Sequence, residues 1–130
     1  MANRTVLIDT SVIIDFLRKD RKEKTLLWQL LEQNTGKISA VTLFELLAGA
    51  KTEKHRYDVE LLTRHLAVLP FDNKTADNAA TIFQELKSKN RLVEFRDIFI
   101  AATALEHNLP LATLNKKHFE NISTIELLQI

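Results

Sequence analysis

Val6-Leu7-Ile8 is a run of three apolar residues, two of them β-branched, and it stops abruptly at Asp9-Thr10-Ser11. A strand apolar at every position is buried on both faces, and such a strand belongs to a parallel sheet covered by helices. In open α/β sheets, ligands bind in the crevice at the carboxyl ends of the strands. Asp9 stands at such an end, so it is a site candidate from position alone. The alternative is that its carboxylate only satisfies loop or helix-start amides.

The rest of the chain alternates in the way that strand requires. Thr10 or Ser11 caps a short helix through Leu17, followed by the charged run Arg18 to Lys24. Leu26, Leu27, Leu30 and Leu31 recur at helical spacing, which predicts an amphipathic helix from about Glu23 to Gln33, ended near Asn34-Thr35-Gly36. Trp28 adjoins that stripe and is expected to pack. Lys37 to Val41 is a strand candidate, Thr42-Leu43-Phe44-Glu45 opens a helix, and Tyr57, Leu61, Leu62 and Leu66 mark another from about Glu53. Ala67 to Phe71 reads as a third strand, and Asp72 or Asn73 caps a helix whose buried face would carry Ala76, Ala79, Ala80, Phe83 and Leu86. Alanine richness and length make Ile98 to Leu105 a buried helix, ended by Asn108, Leu109 and Pro110. Leu111 to Thr113 is the fourth strand candidate, and Ile122 to Ile125 or beyond the fifth. Strands alternating with helices over short connections imply an α/β fold, its parallel sheet held between helical layers.

A chain of 130 residues has the size of one domain, spanning 1–130, and therefore one principal site. The absence of cysteine excludes a disulfide framework, a thiolate zinc centre and a cysteine nucleophile. His55, His65, His107 and His118 show no paired ligand spacing, so a metal would be held by oxygen, which favours Mg or Mn over Zn. Eighteen basic and seventeen acidic side chains leave a net charge of +1, so attraction to phosphate must come from local patches. No apolar run approaches a bilayer span and the first residues lack a signal-peptide core; the expectation is a cytoplasmic protein with no membrane partner.

Three acids stand at strand-to-helix junctions: Asp9, Glu45 and Asp97. Their spacings of 36 and 52 residues leave room for crossover units, which would bring all three to one sheet edge. Each has a structural alternative. Thr42 to Glu45 matches the S/T-x-x-E capping box, and Asp97 reads as an N-cap with Arg96 beside it as an ion-pair partner. Clustered carboxylates repel one another unless a cation lies between them. A divalent ion there would suit phosphodiester hydrolysis, with a carboxylate orienting the attacking water. Thr10, Ser11 and Thr113 would then supply hydroxyl hydrogen bonds that hold a ligand carboxylate or a water.

Four segments together resemble the successive motifs of PIN-domain proteins, and most nearly VapC-type toxins of bacterial toxin–antitoxin pairs. They are Leu7-Ile8-Asp9-Thr10-Ser11-Val12-Ile13-Ile14-Asp15, Thr42 to Gly49, Asp97 to Leu105, and Leu111-Ala112-Thr113-Leu114-Asn115-Lys116-Lys117-His118-Phe119. The resemblance covers essentially the whole chain. It implies a PIN-like three-layer α/β/α sandwich around a central parallel sheet of four to five strands. It also implies a Mg-dependent or Mn-dependent endoribonuclease acting on RNA such as transfer or ribosomal RNA. The implied partners are a second copy in a homodimer and a cognate antitoxin whose tail wraps the toxin. By motif, Asp9 and Asp97 match the metal ligands and Glu45 the glutamate that completes the catalytic acids. The chain departs from the pattern after the last strand, where Asn115 and His118 stand in place of a fully acidic position; asparagine offers a neutral oxygen and no charge. A glycine common ahead of the third acid is replaced by Leu92-Val93, with Glu94 as a spare ligand candidate.

Two other readings compete. A phosphoaccepting receiver-like domain needs paired acids after the first strand, where Asp9 is alone. A degenerate binding module would keep the fold without catalysis. The basic segments Arg18 to Lys24, Lys87 to Arg91 and Lys116-Lys117 are expected to flank the crevice and hold RNA phosphates.

Overall fold

A computed structural model of the chain describes residues 3–129. Within them, strands β1 (Arg4–Ile8), β2 (Asn34–Ser39), β3 (Ala67–Leu69) and β4 (Leu111–Ala112) form one parallel sheet in the order β3-β2-β1-β4. Six helices connect or cover them: α1 (Thr10–Arg18), α2 (Leu26–Gln33), α3 (Ala40–Ala48), α4 (Glu53–Thr63), α5 (Asn73–Ser88) and α6 (Phe95–His107). Side chains alternate across a strand, so β1 feeds both layers. Val6 and Ile8 pack with Val12, Ile13, Leu27 and Val59 of the α1–α4 layer. Leu7 faces the other way, against Ile82, Leu86, Ile98 and Ile100 of α5 and α6. All three residues of the opening run are fully buried, as a central parallel strand demands. The fold is the three-layer α/β/α sandwich that the motifs imply.

Several boundaries move, each for a local reason. β2 begins directly after α2, so Asn34-Thr35-Gly36 is strand and not a loop. At Gly36 the surroundings leave no room for a side chain: a Cβ there would lie 2.7 Å from Ile8 Cδ1, 2.8 Å from Leu31 Cδ2 and 2.9 Å from Leu66 Cδ2. α2 itself starts after Thr25, which caps it, and Lys22–Lys24 form a separate 3-10 turn. The buried face of α5 is Thr75, Ala79, Ile82 and Leu86, one step round from the expected stripe, leaving Ala76 and Ala80 exposed. Ile82 takes the central position because a branched aliphatic removes more apolar surface from water than alanine does. Trp28, Tyr57 and Leu61 are exposed at 44%, 56% and 42%, so they do not carry the packing expected of them.

The fifth strand does not form. After the 3-10 turn Lys116–His118, the Ile122 N–H donates to Phe119 O at 3.0 Å, which closes a turn and turns both side chains into the core. Among the described residues a single bridge, Leu111 to Leu127, touches the edge of β4. Among the described residues no helix is long and apolar enough to cross a membrane.

Asp72 forms the expected cap, accepting from the Thr75 backbone N–H at 3.1 Å and the Thr75 hydroxyl at 2.9 Å. These bonds, the backbone one foremost, hold its carboxyl below the usual range. A depressed pKa in the folded state stabilises above the unfolded value, about 3.9, and that contribution is lost as pH falls through the folded value. Asp72→Ala is therefore expected to lower Tm at pH 7, with the deficit narrowing as melts are taken below about pH 4. A deficit independent of pH would show that the cap's charge contributes nothing.

Candidate active site

The carboxyl edge of the sheet is built by three chain crossings. At the first, the Asp9 N–H donates to Ala112 O at 2.9 Å, extending the pairing of β1 with β4 by one residue. Asp9 occupies the N-cap position of α1, yet its side chain makes no cap hydrogen bond. Instead Oδ2 accepts from the Ser11 hydroxyl at 2.6 Å and the Thr113 hydroxyl at 2.7 Å. Those hydroxyls are themselves oriented by backbone donors, Leu114 N–H to Ser11 Oγ (3.1 Å) and Asn115 N–H to Thr113 Oγ1 (2.9 Å). Their protons are thus free to point at Asp9, and among the described residues Oδ1 accepts no hydrogen bond. The capping alternative for Asp9 does not hold.

Glu45 lies in the second turn of α3 and not in a capping box. The cap is Ser39, three residues earlier than Thr42, and its Oγ accepts from the Thr42 N–H at 3.0 Å. Both Glu45 oxygens are engaged, Oε1 by the Thr10 hydroxyl at 2.7 Å and Oε2 by Arg96 Nη1 at 2.9 Å. Thr10 Oγ1 is also 2.9 Å from Thr42 Oγ1, which lies 3.2 Å from Ser39 Oγ. A hydroxyl has one proton. With that of Thr10 given to Glu45, that of Thr42 goes to Thr10 and that of Ser39 to Thr42, so a buried line of hydroxyls ends on the carboxylate.

Asp97 sits in the first turn of α6, whose cap is Glu94, and it makes no capping bond. Its side chain is 7% exposed, and its Oδ2 lies 3.3 Å from His118 Nδ1. Burial pushes its carboxyl above the usual range; the charges of Asp9 and Glu94 push the same way, against the opposing pull of His118 and Arg96. The ion pair expected between Arg96 and Asp97 is replaced by Arg96 with Glu45, and by a longer 3.6 Å approach to Glu94.

Asp9, Glu45 and Asp97 line one cavity of about 430 Å³, together with Thr10, Ser11, Asn115 and Arg96. Thr113 is buried beneath it, acting through Asp9. Arg18 and Lys19 stand on its rim, while Lys116 and Lys117 line an adjoining cleft with His118. Lys87 to Arg91 are absent from the lining, and Glu94 is an exposed cap outside it.

The donor set fits a hard divalent cation. Among the described residues neither Asp9 Oδ1 nor Asp97 Oδ1 accepts a hydrogen bond, and no fully enclosed side-chain polar atom lacks a partner. Neither oxygen is therefore fully enclosed, and both residues line the cavity. No group of three or more carboxylate or imidazole side chains among the described residues is arranged to enclose one ion. Two carboxylates with the remaining positions left to solvent and ligand is the coordination Mg commonly takes.

Two features escaped the sequence reading. The Thr42 and Ser39 hydroxyls were detectable only as small polar residues three apart at a strand-to-helix junction. The Glu45–Arg96 pair, 51 residues apart, left no local signal at all.

Residues 6–124 match the family model described as PIN domain. The Ribonuclease VapC1 of Methanocaldococcus jannaschii is 31% identical over 122 residues, covering 94% of this chain and 84% of that protein. A chain in the crystal structure of DNA-bound VapBC from Salmonella typhimurium superposes with a TM-score of 0.84 at 29% identity, over 98% of each chain. A chain of a toxin–antitoxin complex from Klebsiella pneumoniae superposes with a TM-score of 0.75 at 26% identity, over 96% of this chain and 99% of that one.

Proposed function

Because this chain belongs to the PIN-domain family, in its VapC branch, we propose that it is a metal-dependent endoribonuclease and the toxin of a toxin–antitoxin pair. The observation that carries the reading is the convergence of Asp9 and Asp97 from separate junctions on one cavity, each with Oδ1 free. The relatives named as ribonucleases and the VapBC assemblies support RNA as substrate and an antitoxin as partner. A homodimer belongs to the same reading.

Asp9 and Asp97 would hold Mg or Mn, which when bound supplies charge neutralisation at a phosphoryl oxygen and lowers the pKa of a water. The hydroxyls of Ser11 and Thr113 fix Asp9 through Oδ2 and keep its other oxygen aimed at the cavity. Glu45, steadied by Thr10, fixes the Arg96 guanidinium against the cavity wall. Arg96 keeps further N–H groups for a phosphate, where negative charge gathers as water attacks phosphorus and the bond to the leaving ribose oxygen breaks. Arg18 and Lys19 on the rim hold neighbouring phosphates of the strand.

The purified protein is expected to cleave RNA with Mg or Mn and to stop on chelation, with activity restored by added ion. Cleavage that persists through exhaustive chelation would overturn the metal-dependent reading. If calorimetry finds no divalent-ion binding while an antitoxin still binds, the protein is a PIN-fold binding module.

A further inference from the structure

The segment from Thr113 to Phe119 contains one polar contact that the function above does not use. His118 ends the 3-10 turn Lys116–His118, and its Nδ1 lies 3.3 Å from Asp97 Oδ2. Two lone pairs at that distance would repel, so the contact is favourable only when Nδ1 carries a proton and Nε2 faces away. The His118 side chain is 42% exposed and contributes little to the core. Its backbone, however, is fixed on both sides. The His118 N–H donates to Asn115 O at 3.0 Å, Asn115 is tied to Thr113 at 2.9 Å, and the next residue, Phe119, is 1% exposed in the core. A half-exposed imidazole is thus aimed by a rigid turn at one oxygen of a buried carboxylate.

We propose that His118 is a positioning residue that pins Asp97 Oδ2 and so presents Oδ1 to the cavity and to a divalent cation held there. The arrangement mirrors that at Asp9, where Ser11 and Thr113 occupy Oδ2 and free Oδ1. At Asp97 the contact is the 3.3 Å approach of the imidazole to Oδ2, longer than the hydroxyl bonds on Asp9, and among the described residues Oδ1 accepts no hydrogen bond. Groups that orient a ligand in this way typically change metal affinity by about 10-fold to 100-fold. The inference rests on reading Asp97 as a metal ligand.

The test uses Mn(II) as probe, its free fraction read by electron paramagnetic resonance, on the full chain. His118→Leu is expected to weaken Mn(II) binding about 10-fold to 100-fold and to lower kcat, leaving Tm and the KM for RNA unmoved. His118→Asn, whose amide nitrogen occupies the place of Nδ1, is expected to recover most of the affinity. Wild-type affinity in His118→Leu overturns the proposal, as does an Asn variant no better than the Leu one. A nitrogen coupling to Mn(II) that vanishes in the Asn variant also overturns it, because the imidazole is then itself a ligand. Asp97→Asn separates this from the underlying reading. If that variant keeps full Mn(II) affinity, the metal site falls and the proposal with it; if it loses binding while His118→Leu does not, the proposal alone falls.

Discussion

Asp97→Asn is expected to lower kcat/KM for RNA by about 10³-fold or more while raising the Tm of the metal-free protein at neutral pH. Both effects have one origin. The Asp97 carboxylate is buried beside the charge of Asp9, and burial raises its pKa above the unfolded value. Between the unfolded and folded values the native state binds more protons than the unfolded chain, so stability falls as pH rises through that window. Once pH lies above the folded value, the full cost of a buried, crowded charge is present. A neutral amide of the same shape removes that cost together with the negative charge a cation needs. The Tm gain should shrink as melts are taken toward the acid side, where the wild-type carboxyl is protonated. Mg should raise Tm in the wild type and not in the variant, since a ion that binds only the native state stabilises it by mass action. Undiminished cleavage, or an unchanged Mg-induced rise in Tm, would remove Asp97 from the site.

Phe119→Ala is expected to cost about 3–5 kcal/mol of stability, read as a lower denaturation midpoint at unchanged m-value. Among the described residues Phe119 is the largest fully buried side chain, and it packs in the cluster that holds Leu7, Ile82 and Ile98. Truncation leaves a cavity the surrounding helices cannot close. It also releases the anchor that fixes the turn carrying His118, so cleavage should fall together with stability. Variants of His118 should reduce cleavage with stability intact, and that contrast distinguishes the anchor from the residue it places. A loss under about 1 kcal/mol would mean that the segment after β4 is not held through the core.

The sequence made legible what is written in short-range pattern. Val6-Leu7-Ile8 announced a central strand because only a two-sided burial tolerates three apolar residues in a row. Asp72 was legible as a cap because a side chain and the amide three residues on suffice to define one. Ile122 to Ile125 misled because an apolar run fixes burial and not extension: Ile122 is buried, but from a turn. The S/T-x-x-E match at Thr42 failed for a similar reason, since helix α3 starts at Ala40 and the capping role passed to Ser39. Asp9, Glu45 and Asp97 were placed at one edge by topology, and the structure brings them to one cavity. What topology could not supply was the division of labour among them. Which oxygens are tied and which are free depends on Thr10, Ser11, Thr113, Arg96 and His118, all but Ser11 joined to their acids across long stretches of chain or, for Arg96, to a different acid from its neighbour. Periodicity carries no information about such pairs.

The strand order gives the chain a built-in delay. β1 precedes β2 and β4 in the chain, yet it lies between them in the sheet, and Asp9 is fastened to Thr113, made 104 residues later. A nascent chain emerging from the ribosome therefore carries its acids apart, with neither Asp9 fixed by Thr113 nor Asp97 reached by His118. The candidate site is therefore completed last, when residues 113–118 dock against the sheet and bring Thr113 to Asp9 and His118 to Asp97.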